Sequence, residues 1–171
     1  MAETVCRSFP PCARRGARVL ILGSMPGEES LRQRQYYAFP RNAFWQIIGT
    51  VCAPDGGARA DEAFAARPYR ERLRVLTACG FALWDVLENC ERAGSLDAAI
   101  RAPKANDIPG LLKRFPSIRR ICCNGGTAGR YLRRFFPELA PLAVILPSTS
   151  PAAAMYSYAE KLARWQAALC P

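Results

Sequence analysis

A chain of 171 residues, half of them apolar and including three Trp, eight Phe and six Tyr, has the bulk for one domain around a packed core. Its net charge of +10 is carried by twenty-one Arg against three Lys, which points to a polyanionic partner such as nucleic acid, with an arginine-rich proteome as the plain alternative. There is no histidine, which excludes the commonest general acid–base and metal ligand from any mechanism.

Met1 to Cys12 lacks the basic start and apolar stretch of a signal peptide, and no apolar run nears the roughly 18 residues of a membrane span. A cytoplasmic protein with no membrane contact is expected, with residues 1–16 loosely ordered. Arg18 to Leu22 is a short apolar run that reads as a buried parallel strand, and it leads into the loop Gly23-Ser-Met-Pro-Gly27. Pro40 to Ile48 opens a helix with Phe44, Ile47, Ile48 and Val51 on one face. Pro54 to Ala60 reads as a loop, and Pro68 to Ala78 as a helix stopped by Gly80. Phe81 to Leu87 is a second strand, and Asp107 to Phe115 a short helix with a polar cap. Arg119 to Gly126 reads as strand and turn, Ala128 to Phe136 as a helix, and Leu142 to Leu146 as a further strand entering Pro147-Ser-Thr-Ser-Pro151. The last helix spaces Tyr158, Leu162, Trp165 and Leu169 on one stripe.

Strands alternating with helices predict a single α/β domain over residues 1–171 with a mainly parallel sheet. Ligands of such sheets bind beyond the C-terminal strand ends, where Gly23–Gly27 and Pro147–Pro151 both fall. The eight cysteines include no Cys-x-x-Cys pair, and Cys79, Cys122 and Cys123 sit in apolar runs, so no metal or cofactor is expected.

Three segments then go together: Gly23-Ser-Met-Pro-Gly27, Tyr36-Tyr-Ala-Phe-Pro-Arg-Asn-Ala-Phe-Trp45 and Leu146-Pro-Ser-Thr-Ser-Pro151. In order and spacing they resemble the uracil-DNA glycosylase superfamily, nearest its hypoxanthine-DNA glycosylase branch. Trp84–Cys90, Gly94–Asp97, Asn106-Asp107 and Asn124-Gly125 extend the likeness over nearly the whole chain. The resemblance implies a four-stranded parallel sheet between helices and a monomeric enzyme. That enzyme would flip a deaminated base out of double-stranded DNA and hydrolyse its N-glycosidic bond. It implies a base pocket floored by Gly23, Ser24, Met25, Pro26 and Gly27, with Tyr37 stacking on the base and Asn42 as the catalytic residue. It also implies a DNA-binding loop formed by Pro147, Ser148, Thr149, Ser150, Pro151 and Ala152. Met25 stands where the mismatch-specific uracil branch has Asn, which argues against efficient uracil excision.

The chemistry is compatible with these residues. The Asn42 amide can donate to a purine and its oxygen can orient water, although an amide is no general acid. Neither loop holds a carboxylate, so catalysis is expected to be positional and electrostatic. From the residues alone, plainer readings stay open. Asn42 is also an ordinary N-cap, Tyr36 and Tyr37 are also packed aromatics, and Ser148 to Ser150 are also turn residues. Asp85 reads as structural, bonding to a neighbouring loop. Rival functions are a glycosylase for uracil or another damaged base, a silent DNA-binding domain, and a nucleotide-binding α/β domain, the last lacking its glycine fingerprint.

Overall fold

The computed structural model describes residues 4–53 and 60–170. Its strands are β1 (Thr4–Arg7), β2 (Val19–Gly23), β3 (Phe81–Asp85), β4 (Leu87–Arg92), β5 (Arg101–Ala105), β6 (Arg120–Asn124) and β7 (Ala143–Leu146). Its α-helices are α1 (Glu28–Gln33), α2 (Phe44–Val51), α3 (Ala60–Ala65), α4 (Tyr69–Ala78), α5 (Ile108–Arg114), α6 (Gly126–Phe135) and α7 (Tyr158–Leu169). The central sheet is four-stranded and parallel, in the order β3-β2-β6-β7.

The residues of β2 explain why this sheet is covered on both faces. Side chains alternate across a strand, and all five positions of β2 are buried. Leu20 and Leu22 face one core, packed with Ile108 and Leu111 of α5 and Ala128 and Leu132 of α6. Val19 and Ile21 face the other, packed with Phe44, Trp45, Ile47 and Ile48 of α2, Leu76 of α4 and Trp165 of α7. The α/β expectation holds, with helices on both sides of a parallel sheet.

Three expectations need correction. The run Phe81–Leu87 is not one strand: it breaks at Val86, where β3 leaves the parallel sheet and β4 enters an antiparallel sheet of order β1-β4-β5. The break is drawn by backbone bonds to the first loop, Val86 N to Gly23 O at 2.8 Å and Leu87 N to Ser24 O at 3.1 Å. Both halves are buried, so hydropathy carries no mark of the change. From Thr4 onward the N-terminal segment is not loose. Its β1 pairs with β4 from Thr4 opposite Arg92 to Arg7 opposite Asn89, and Cys12 exchanges two backbone bonds with Leu83. The Trp84 indole adds a bond to Phe9 O at 2.9 Å. The helix expected from Pro40 begins one turn later, at Phe44.

The loop expected at Pro54–Ala60 falls mostly on 54–59, outside the described residues, and Ala60 itself opens α3. The other expected helices and strands lie within a few residues of their limits, α1 and β5 were not foreseen, and Asp107 caps α5 through its bond from Gly110 N at 2.9 Å. No helix among the described residues is long and apolar enough to cross a membrane.

Candidate active site

A cleft of about 890 Å³ opens at the C-terminal ends of β2, β3, β6 and β7. Gly23, Ser24, Met25, Pro26 and Gly27 line it from the first loop, and Tyr37 and Asn42 from the second segment. Ser148, Thr149, Ser150, Pro151 and Ala152 line it from the loop after β7. Pro147 stands apart from it, its carbonyl accepting from the Trp165 indole at 3.0 Å. Asp85, Asp97, Asn124 and Arg130 complete the walls and were not among the expected site residues.

The first loop is fastened by its carbonyls. Gly23 O and Ser24 O hold the corner between β3 and β4, Gly27 O takes Leu31 N at 2.9 Å, and Pro26 O takes Arg92 Nη2 at 2.5 Å. The Ser24 hydroxyl donates to Asp97 Oδ1 at 2.8 Å. Met25 is buried in the core while also reaching the cleft wall.

Asn42 is not the N-cap of α2, a position that falls to Ala43. Its Oδ1 accepts from Phe44 N at 3.0 Å, an Asx-type turn that leads into the helix. That bond engages one lone pair of the oxygen and leaves the amide NH2 for the cleft. Tyr37 has φ +53, a left-handed conformation that a tyrosine adopts only under constraint. Phe44 covers one face of its ring, with centroids 3.9 Å apart and planes 21° from parallel. The ring is half-buried and lines the cleft, so its opposite face is the one it can offer to a base. Tyr36 is core: it is buried, with its hydroxyl on Pro10 O and its carbonyl on the Trp45 indole.

The loop after β7 is held from below. Asn124 clamps Thr149 through two bonds of 2.9 Å, accepting from its N–H and donating to its hydroxyl. Thr149 O in turn receives Ala43 N at 3.0 Å, which ties this loop to the residue beside Asn42. Thr149 is therefore a buried strut, while Pro151 and Ala152 are the exposed part of the loop. Lys161, remote from both loops in sequence, is buried against this one and donates to Ser150 O at 3.2 Å. Burial lowers the pKa of its ammonium.

Asp85 departs most from its expected role. Its backbone carbonyl accepts from Asn106, but the side chain bonds to no neighbouring loop: Oδ2 is fully buried without a hydrogen-bond partner. The Tyr37 hydroxyl beside it is also buried, with Asp85 and Asn124 as its polar neighbours. A buried polar group left without a partner costs about 1–3 kcal/mol, which a fold bears only for a reason. Burial, and then the charge of Asp97, push the Asp85 carboxyl up to about 8, against the opposing pull of Arg92. Burial and the proximity of Asp85 likewise raise the Tyr37 phenol. The one clue in the sequence was an acid ending an apolar strand at the ligand-binding edge of the sheet.

The family model of the uracil DNA glycosylase superfamily matches residues 9–169, almost the entire chain and both loops of the cleft. The chain belongs to that superfamily. It is 35% identical over 164 residues to a hypoxanthine DNA glycosylase of Methanosarcina acetivorans, covering 94% of this chain and 96% of that one. A hypoxanthine DNA glycosylase of Methanosarcina barkeri is 32% identical over 125 residues, covering 73% and 74%. A solution NMR structure of a Methanosarcina acetivorans protein assigned as a uracil DNA glycosylase superposes with a TM-score of 0.80 at 31% identity, over 97% of each chain. The superfamily resemblance and the four-stranded parallel sheet expected from it are thus both established.

Proposed function

We propose that this protein excises hypoxanthine from deoxyinosine in duplex DNA by hydrolysing the N-glycosidic bond, acting as a monomer. The observation that carries the reading is Asn42: its oxygen is engaged by Phe44 N, which leaves the NH2 as a donor to a purine in the cleft. Two relatives that are hypoxanthine DNA glycosylases support the choice of base.

The flipped base enters between the two loops and stacks on the free face of Tyr37. Such stacking is worth roughly 1 to 3 kcal/mol, about what flipping a mispaired base costs. As the bond to C1′ breaks, electrons pass into the purine while positive charge gathers on the sugar. The Asn42 NH2 and the N–H groups of Ser24 and Met25 hold that purine, since the first loop is fastened through its carbonyls. Water completes the reaction at C1′. Arg41 and Arg130, both exposed at the cleft rim, meet backbone phosphates.

The test is excision from duplexes carrying one deoxyinosine, uracil, xanthosine or ethenoadenine, followed by alkaline cleavage of abasic sites. Deoxyinosine should be cut fastest; uracil cut faster, or no release from any duplex, overturns the reading. Undamaged-duplex affinity should fall by about one power of salt for each phosphate contacted. Tyr37→Ala should reduce discrimination for deoxyinosine and leave that slope unchanged, because stacking on a neutral base releases no counterions. A steeper or flatter slope in the variant would place Tyr37 on the backbone instead.

The strand should stay intact. None of Lys104, Lys113 and Lys161 lines the cleft, and the Lys161 amine is committed to Ser150 O. Borohydride during turnover should therefore trap no covalent adduct. An adduct that disappears in Lys161→Met would show that this amine leaves its carbonyl and attacks C1′.

A further inference from the structure

The catalytic account built on Asn42 lacks a proton for the departing base, and the cleft holds an unused group able to give one. We propose that the Asp85 carboxyl touches the flipped purine and delivers its proton to N7 as the glycosidic bond breaks. The inference rests on the reading of the chain as a hypoxanthine glycosylase.

Placement is the first support. Asp85 ends β3 in register with Gly23, which ends β2, so it stands at the foot of the first loop and lines the cleft. The approach is close: a Cβ on Gly23 would lie 2.5 Å from Asp85 Oδ1. Its second oxygen is buried and has no hydrogen-bond partner, an unsatisfied carboxyl on the wall of the cleft. The N7 edge of a purine in the cleft is a partner of the right chemistry for it.

Charge is the second support. The groups around Asp85 are Asp97, held by Ser24 from the first loop; Arg92, held on Pro26 O; and the hydroxyls of Tyr36, Tyr37 and Tyr69. One guanidinium faces two carboxyl groups. Burial and the charge of Asp97 outweigh that cation and keep the proton on Asp85 up to about pH 8. The site therefore holds an acid at neutral pH, which an amide such as Asn42 cannot be.

The step balances. The C1′–N9 electron pair goes to the purine, the Asp85 proton goes to N7, and hypoxanthine leaves as a neutral tautomer. Water supplies hydroxide to C1′, and its remaining proton restores the carboxyl. Uracil has no corresponding ring nitrogen, so the device favours a purine.

The experiment measures single-turnover release from deoxyinosine and 7-deaza-deoxyinosine duplexes between pH 6 and 9.5. The wild-type rate on deoxyinosine should be level below pH 7. Above about 8 it should fall tenfold per pH unit. Asp85→Asn should be slower by at least about a hundredfold, the usual size for general acid catalysis, with no dependence on pH. The wild type should lose a similar factor on the 7-deaza substrate, and the variant should lose little more there. Asp85→Asn should melt at or above the wild-type temperature at pH 9. The sign follows from the raised pKa: the acid's stabilising contribution is complete below the ordinary value of 3.8 and is lost as pH rises through about 8, whereas Asn has no charge to bury. A rate that rises with pH, a variant that keeps its speed, or full wild-type activity on the 7-deaza duplex overturns the proposal. Wild-type protein that releases no hypoxanthine at any pH instead overturns the reading beneath it.

Discussion

Asn42→Ala should lower the single-turnover rate on deoxyinosine DNA by at least about a hundredfold, the size expected for loss of one well-placed donor. The same change removes the oxygen bonded to Phe44 N at 3.0 Å, so about 1 kcal/mol of stability should go with it. The two losses separate in Asn42→Asp. A carboxylate still offers oxygen to Phe44 N and suits a helix N-terminus, so melting should return to the wild-type value. It has no NH2 to give, and beside an electron-rich leaving purine its charge repels, so activity should stay as low as in the alanine variant. Excision restored by Asn42→Asp would mean that the residue serves only to start α2, and the donor would have to be sought elsewhere in the cleft.

That double use explains why the residue was ambiguous in the sequence. An Asn shortly before Phe-Trp-Gln-Ile-Ile fits a helix cap, but Ala43 takes that position, and Asn42 holds the first helical N–H from one residue further out. Which of its atoms is left over depends on where α2 begins, and that is set by a bond to Phe44 rather than by hydropathy. The parallel sheet was legible for the opposite reason. Val19–Gly23 and Arg120–Asn124 are short apolar runs, and the glycines that follow each are what a strand-to-loop passage needs. The second sheet was not legible, because Thr4–Arg7 is exposed on three of four positions and gains its order from pairing with β4, more than eighty residues away in sequence. Nor was Asp85. An acid after Phe-Ala-Leu-Trp reads as the polar end of a strand, and only the packing of Gly23, Tyr37 and Asp97 around it reveals a carboxyl buried without a partner. Lys161 is a similar case: a helix residue in sequence, a support for Ser150 in space.

Gly23→Ala should be as damaging as any change to a functional side chain, though it only adds a methyl group. The new Cβ would lie 2.5 Å from Asp85 Oδ1 and 3.0 Å from the Tyr37 hydroxyl, both closer than carbon and oxygen settle. Neither neighbour yields easily. Asp85 is short and buried, and Tyr37 is stacked on Phe44 with its backbone already in the left-handed region. The carboxyl must therefore shift out of line or Tyr37 must tilt, and a displacement of about 1 Å in a catalytic group costs on the order of a hundredfold in rate. Overpacking of this kind also costs about 1–3 kcal/mol, so melting should fall while the protein stays folded. Gly27→Ala is the internal control, from the other end of the same loop. Its Cβ would meet the Ser95 hydroxyl at 3.4 Å, an ordinary contact, so melting should stay close to wild type and any loss of rate should be much the smaller. Equal activity in the two variants would mean that the space above Gly23 is not where the base and Asp85 meet, and the floor of the pocket would have to be moved toward Met25.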